Sequence, residues 1–308
     1  MNVKNFKVSV VIPVYNAEKF VVKAIESVVN LDEVAEVIIV EDGSKDNCLE
    51  ICKELSQKYP KIKLFQHPNA ENKGESASRN LGISHAQSDY IAFLDADDWY
   101  LPHRFTKDKI VFSSFENADV AYSCTTLEEN QGNLDKRYGA REDKKNILGY
   151  DISPQDFYKK KLKNKWVLFN TNSITIRRSF LLEDKCFDER LKLHQDSELW
   201  SRLFRKGNFF AAEFENPVAV VRRHDNNTIS NRTPQTHLKM IAVLIDNVGL
   251  KQLYDFEIDD LYERILREKS KNYSNNWKRR LYYCINFMFR YYDKKQLLSK
   301  VRNFHVSN

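Results

Sequence analysis

What most constrains this chain is the regular alternation of residues 8–94, where short β-branched apolar runs are separated by helical patterns. The runs are Val8–Val14, Glu36–Val40, Ile62–His67 and Tyr90–Leu94, and the helical patterns are Glu18–Val29, Asn47–Lys58 and Ser76–Ala86. Strands alternating with helices predict an α/β fold with a mostly parallel, Rossmann-like central sheet flanked by helices. Runs such as Val-Ile-Ile-Val at 37–40 suit strands buried on both faces. In open sheets of this kind ligands bind beyond the carboxyl ends of the strands, so the polar residues that follow each strand are the candidates for chemistry.

Beyond Trp99 the pattern loosens. Residues 128–146 are polar with little apolar periodicity and read as a long loop. Pro154–Lys161 and Ser197–Arg205 read as helices, and Ser173–Ile176 and Val218–Val221 as strands. From about Thr233 onward the chain reads as mostly helical. The expected organisation is a domain over residues 1–232, in halves 1–100 and 101–232, followed by a basic, aromatic-rich helical extension over 233–308.

With 42% hydrophobic and 30% charged residues the composition is that of a globular protein. Five scattered cysteines without CxxC spacing point to a reducing, cytoplasmic compartment. A cleaved secretory signal is not expected, because no apolar stretch follows the N-terminal residues. Nor is a membrane span, since Asp246 and Arg290 interrupt the most apolar stretches. The net charge of +6 is uneven: residues 264–308 hold twelve Lys and Arg against Glu268 and Asp293.

Three strand ends carry the chemistry. The first strand runs into Ile12-Pro13-Val14-Tyr15-Asn16, where proline interrupts the ladder and Tyr15-Asn16 turn the chain. The second ends in Glu41-Asp42-Gly43-Ser44. Its acids can accept hydrogen bonds from a base or ribose, or Asp42 and Ser44 can cap the next helix. The fourth ends in Asp95-Ala96-Asp97-Asp98, three carboxylates within four positions whose repulsion calls for compensation. A hard divalent cation, Mn²⁺ or Mg²⁺, supplies it, because such ions take carboxylates together with phosphate oxygens and water; the alternative is a solvated acidic loop. In an extended segment Asp95 and Asp97 would point the same way and Asp98 away.

Taken together, Val-Ser-Val-Val-Ile-Pro-Val-Tyr-Asn (8–16), Ile-Ile-Val-Glu-Asp-Gly-Ser (38–44), Gly-Glu-Ser-Ala-Ser-Arg-Asn-Leu-Gly-Ile (74–83) and Leu-Asp-Ala-Asp-Asp (94–98) resemble glycosyltransferase family 2, the inverting nucleotide-sugar enzymes of GT-A fold. The resemblance runs from Val8 to about Ser230. It implies that Pro13 and Tyr15 line a nucleotide pocket, that Asp42 contacts the base, that Arg79 lies by the nucleotide, that Asp95 contacts the ribose with Ala96 beside it, and that Asp97 ligates the metal. Lys73 and Arg79 add positive charge for an anionic donor, and Arg79 can equally cap a helix or pair with a strand-end acid. Glu41 stands where the family commonly has aspartate.

Inverting transfer needs a base for the acceptor hydroxyl. Asp196 sits at a loop-to-helix transition where an acid also serves as an N-cap, but Gln195-Asp196-Ser197-Glu198-Leu199-Trp200 resembles the family's Glu-Asp-x-Glu-Leu-Trp stretch, which assigns the base to Asp196; Glu198 then faces acceptor hydroxyls or solvent, and Trp200 stacks on a sugar or belongs to the core. Val221-Arg222-Arg223-His224 resembles the family's closing motif, which makes His224 a metal or diphosphate ligand and Arg223 a phosphate partner.

The implied activity is transfer of a sugar from a UDP-sugar to a glycan or polyprenyl-linked acceptor in bacterial-type surface polysaccharide synthesis. The alternative is a binding protein of the same fold without turnover. The basic aromatic segment 278–292 suits contact with an anionic membrane, or packing on the first domain or on a second subunit of a homo-oligomer; no nucleic-acid motif accompanies it. A dehydrogenase is excluded by the lack of GxGxxG after the first strand, and a nucleotidylyltransferase by the lack of a glycine-rich, arginine-containing loop there.

Overall fold

The computed structural model describes residues 6–129, 133–135, 152–163, 169–224, 231–273, 275–288 and 294–306. The chain divides into two units. The first comprises residues 1–154, 167–187 and 206–225, and the second residues 155–166, 188–205 and 226–308. The expected boundary at 232/233 isolates only the contiguous part of the second unit, which also takes in 155–166 and 188–205.

In the first unit the apolar runs form strands β1 (Val8–Val14), β2 (Val34–Glu41), β3 (Ile62–Gln66) and β4 (Tyr90–Phe93). All are parallel, in the order β4-β1-β2-β3. On the far side of β4 come β9 (Ile174–Arg177), antiparallel to its neighbours, then β6 (Val120–Tyr122) and β10 (Phe209–Ala211), completing seven strands. The mostly parallel α/β sheet expected from the sequence is therefore present. Register places Val14 opposite Glu41 and Val11 opposite Phe93, so the polar segments after β1, β2 and β4 emerge along one edge.

Helix α1 (Val21–Val29) buries Val21, Ala24, Ile25, Val28 and Val29, the one-sided spacing of an amphipathic helix. Helix α3 (Glu75–His85) approaches β1 at Gly82, where a Cβ would meet Val11 Cγ1 at 2.3 Å. Helices α2 (Cys48–Lys58), α4 (Thr106–Ser114) and α6 (Arg178–Leu182) complete the unit.

A second sheet was not expected. Strands β5 (Trp99–Tyr100), β11 (Ala219–Arg222), β7 (Thr125–Glu129) and β8 (Asn133–Asp135) pair in the order β5-β11-β7-β8. The supposed loop at 128–146 thus begins in a strand pair, and its positions 130–132 and 136–146 lie outside the described residues. Its charged residues hid the strands, because β8 is a three-residue strand at the edge of the sheet, too short to leave an apolar run.

The second unit is helical: α5 (Pro154–Lys163), α7 (Gln195–Phe204), α8 (Pro234–Val248), α9 (Asp255–Ser270), α10 (Asn276–Met288) and α11 (Lys294–Val306). Its core gathers Ile241, Leu244 and Ile245 of α8, Leu261 and Ile265 of α9 and Leu298 of α11. Thr233 caps α8 reciprocally with Thr236 and Pro234 opens the helix, so the start of the helical extension is set by local chemistry. Among the described residues no helix is long and apolar enough to cross a membrane.

Candidate functional site

The strand ends of the first unit are knitted to one another before any ligand is considered. Asn16 takes positive φ (48°), its backbone N–H donates to Ser44 Oγ (3.1 Å), and its side-chain oxygen accepts from Lys45 N (2.8 Å). Glu18 N donates to Asp46, and Glu18 accepts from Asn47 N. Gly43 has φ +71°, and a Cβ there would lie 2.6 Å from the carbonyl oxygen of Ala70. Only glycine meets both conditions without strain.

Asp42 is almost fully buried, and its carboxylate accepts from Asn72 Nδ2 (3.0 Å), Lys73 N (2.8 Å) and Gly74 N (2.9 Å). It fastens the 72–74 loop to the end of β2 and thereby sets the start of α3. Neither Asp42 nor Ser44 caps α2, whose first N–H groups are served by Asp46. Glu41 is equally engaged, accepting from Ser44 N and Gln66 Nε2. The Lys73 ammonium pairs with Glu71 at the surface. Tyr15 is 45% exposed beside half-buried Pro13.

The acidic triplet departs from the extended geometry expected of it. Asp98 N bonds to the carbonyl of Asp95 (3.0 Å), so residues 95–98 form a turn and each carboxylate finds a different partner. Asp95 accepts from Arg79 Nη2 (2.7 Å); Arg79, 2% exposed, also pairs with Glu75 and lies over the Phe187 ring. Burial raises the Asp95 pKa to about 7, with the Glu75 and Asp97 charges adding to the rise and Arg79 opposing it. Asp97 meets His224 Nε2 at 2.9 Å, with both side chains partly open to solvent. Asp98 turns inward, to Asn172 Nδ2 and to the backbone N–H of Arg222 (2.7 Å); burial, then the charges of Asp97 and Asp95, push its pKa well up.

Asn172, which the sequence reading missed, organises this turn. Fully buried at the entry to β9, it accepts from Asp95 N (2.9 Å) with one end of its amide and donates to Asp98 with the other. Buried Arg104 in turn donates to the Asn172 carbonyl (3.0 Å) and to Asp108 (2.7 Å). No local signal marks Asn172, because the two groups its side chain binds are over seventy residues away. The orientation of His224 has a similarly hidden source. Lys23 Nζ lies 3.1 Å from the centroid of Trp99, the Arg222 guanidinium lies 4.8 Å from Trp99 and 4.7 Å from Phe20, and the Phe20 ring stacks on His224 at 4.8 Å. Cations and rings alternate through this stack, which ends on the imidazole facing Asp97. Arg223 is exposed and anchored through its backbone to Glu128, and residues 225–230 of the same motif lie outside the described residues.

Asp196 belongs to the second unit. It occupies the first turn of α7 but is not the cap, a position taken by His194 with left-handed φ (61°), and it accepts from Ser197 N (2.7 Å). Gln195 is buried. Glu198 faces neither solvent nor an open groove: it is fully buried, bound by Arg202 Nε (2.8 Å) and Asn247 Nδ2 (2.8 Å). Trp200 is 6% exposed, as a core residue would be.

Among the described residues no three metal-binding side chains cluster, but the Asp97 and His224 pair fits a divalent cation by donor type. Such ions commonly leave their remaining positions to phosphate oxygens and water.

Comparison with known proteins supplies the family. Residues 9–184 match the family model described as glycosyl transferase family 2. The minor teichoic acid biosynthesis protein GgaA of Bacillus subtilis is 28% identical over 235 residues, covering 73% of this chain and 49% of that protein. The GalNAc(5)-diNAcBac-PP-undecaprenol beta-1,3-glucosyltransferase of Campylobacter jejuni is 27% identical, covering 66% of this chain and 62% of that one. The chain thus spans about half to three fifths of the length of these relatives. Residues 1–349 of S. aureus TarS, solved with UDP-GlcNAc, superpose with a TM-score of 0.60 at 17% identity, covering 87% of this chain and 73% of that one. That likeness is one of fold, the GT-A fold expected from the motifs. By the extent of the family match and the fold, the chain belongs to glycosyl transferase family 2.

Proposed function

We propose that the protein transfers a sugar, with inversion, from a UDP-sugar to a hydroxyl of a glycan or lipid-linked glycan. The observation that carries this reading is the Asp97–His224 pair at 2.9 Å, beside Arg79 and Asp95 on the strand-end edge of the first unit. Two neighbouring ligands on one octahedral cation with bonds of about 2.1 Å have donor atoms roughly 3 Å apart, so the pair already has a suitable spacing. A Mn²⁺ or Mg²⁺ held by Asp97 and His224 would neutralise the diphosphate of the leaving nucleotide.

The chain's own residues supply the remainder. Tyr15 and Pro13 offer a half-open wall for the base, and Asp42 fixes the 72–74 loop that brings Lys73 to the same edge. Arg79 holds Asp95 so that its second oxygen can accept from the ribose, with Ala96 in the turn beside it. Exposed Arg223 pairs with phosphate. Asp196 takes the acceptor proton, a role that rests on its motif and on its place in the first turn of α7.

The UDP donor draws support from TarS, whose structures contain UDP and UDP-GlcNAc, and the lipid-linked acceptor from the Campylobacter relative's name. Peripheral contact of α10 with an anionic membrane and self-association belong to the same proposal. Exposed Trp277 and Leu281, beside Lys278 and Arg279, support the membrane contact.

The test is UDP release from UDP-sugars with glycan and polyprenyl-linked acceptors. Asp196→Asn is expected to lower acceptor-dependent release by roughly 10²–10⁴-fold while UDP binding persists. Equal turnover in that variant removes Asp196 as the base, and the wild type failing to release UDP across a broad panel favours the non-catalytic binding protein.

A further inference from the structure

The helical unit contains a cavity that the proposed transfer reaction does not use. It has a volume of about 620 Å³, within the range of small-ligand pockets, and is lined by residues of α8, α9, α10, α11 and the α9–α10 turn. One part of its wall is basic, with the ammonium groups of Lys269 and Lys300 and the imidazole of His305. Another is aromatic, with Tyr273, Tyr282 and Phe304. Among the described residues no aspartate or glutamate lines it. The adjacent Glu268 is engaged elsewhere, by Lys271 (2.7 Å) and His237 (3.1 Å), and so does not neutralise the wall.

The fold thus holds like charges together at a cost. Burial and then the Lys300 ammonium lower the Lys269 pKa, and burial followed by Lys239 and Lys269 lowers that of His305. An anion among these groups turns mutual repulsion into charge-assisted hydrogen bonding. The aromatic wall asks for something further. Tyr273 and Tyr282 have ring centroids 5.2 Å apart, and Phe304 remains 66% exposed at the rim, a surface that an apolar chain or ring would cover.

We propose that this cavity binds an amphipathic phosphate, its phosphoryl group held by Lys269, Lys300 and His305 and its apolar part lying on Tyr273, Tyr282 and Phe304. The ligand is either a phospholipid headgroup region or a soluble phosphorylated amphiphile, and binding does not depend on sugar transfer.

Calorimetric titration of the full chain with dodecyl phosphate below its micellar concentration tests the site, with inorganic phosphate and dodecanol as partial ligands. Saturable binding at least about tenfold tighter than either partial ligand is expected. The Lys269→Gln/Lys300→Gln variant should weaken it by a similar factor with an unchanged melting temperature, and Lys269→Arg/Lys300→Arg should retain it. Co-sedimentation with phosphatidylcholine vesicles carrying phosphatidic acid, lost in the Gln variant, identifies the lipid source; dodecyl phosphate binding without co-sedimentation identifies the soluble one. Equal affinity in the Gln variant, inorganic phosphate binding as tightly as dodecyl phosphate, or no saturable binding overturns the proposal. Should the Gln variant fold poorly, His305→Gln at the rim provides the same comparison.

Discussion

At the scale of single residues, the acidic triplet is three different things. Asp95 belongs to Arg79, Asp97 to His224, and Asp98 to the interior. What separates them is the turn at 95–98, and what holds the turn is Asn172, so Asn172→Ala should cost about 2–3 kcal/mol through two hydrogen bonds that involve or adjoin charged groups. Differential scanning calorimetry on the two proteins measures it, and an unchanged melting temperature would mean that the turn stands without the amide. Tyr15, Asp42, Asp95, Asp97, Arg223 and His224 were legible because they follow strands within one to four positions. Asn172 was not, because its identity as a clamp exists only once β9 lies beside β4. Asp42 shows a related limit: its place was readable from the strand end, whereas the three donors that converge on it come from a loop thirty residues further on.

At the scale of elements, β1, β2 and β4 were legible because each is buried on both faces and carries a run that little else would explain. The second sheet and the burial of Glu198 were not. Nothing in Gln-Asp-Ser-Glu-Leu-Trp distinguishes a solvent-facing acid from one bound by Arg202 one turn later and by Asn247 of α8. That network joins α7 to α8 and continues through Asp188, Arg190 and Asp246 to Arg302 of α11. Glu198→Ala removes the buried carboxylate that both Arg202 Nε and Arg202 Nη2 bond, breaking a buried ion pair, and should destabilise the helical unit by about 3–5 kcal/mol. Chemical denaturation followed by circular dichroism would show it as a lower midpoint; a midpoint at the wild-type value would mean that water replaces the lost partner.

At the scale of the whole molecule, the account rests on a sheet edge that is built before any ligand arrives. The Asp42 anchor, the Asn172 clamp and the stack from Lys23 to His224 fix the positions of the polar residues at that edge. At that edge, we propose, Asp97 and His224 hold a divalent cation jointly with a nucleoside diphosphate. The most direct measurement is the melting temperature of the full chain with UDP alone and with UDP plus Mn²⁺. A ligand at a hundred times its dissociation constant stabilises by about 2.7 kcal/mol, enough for a clear upward shift. The expected result is a larger rise with UDP and Mn²⁺ together than with either alone, and loss of that excess in Asp97→Ala. An equal rise with and without Mn²⁺, or an Asp97→Ala protein that keeps the excess, would contradict it.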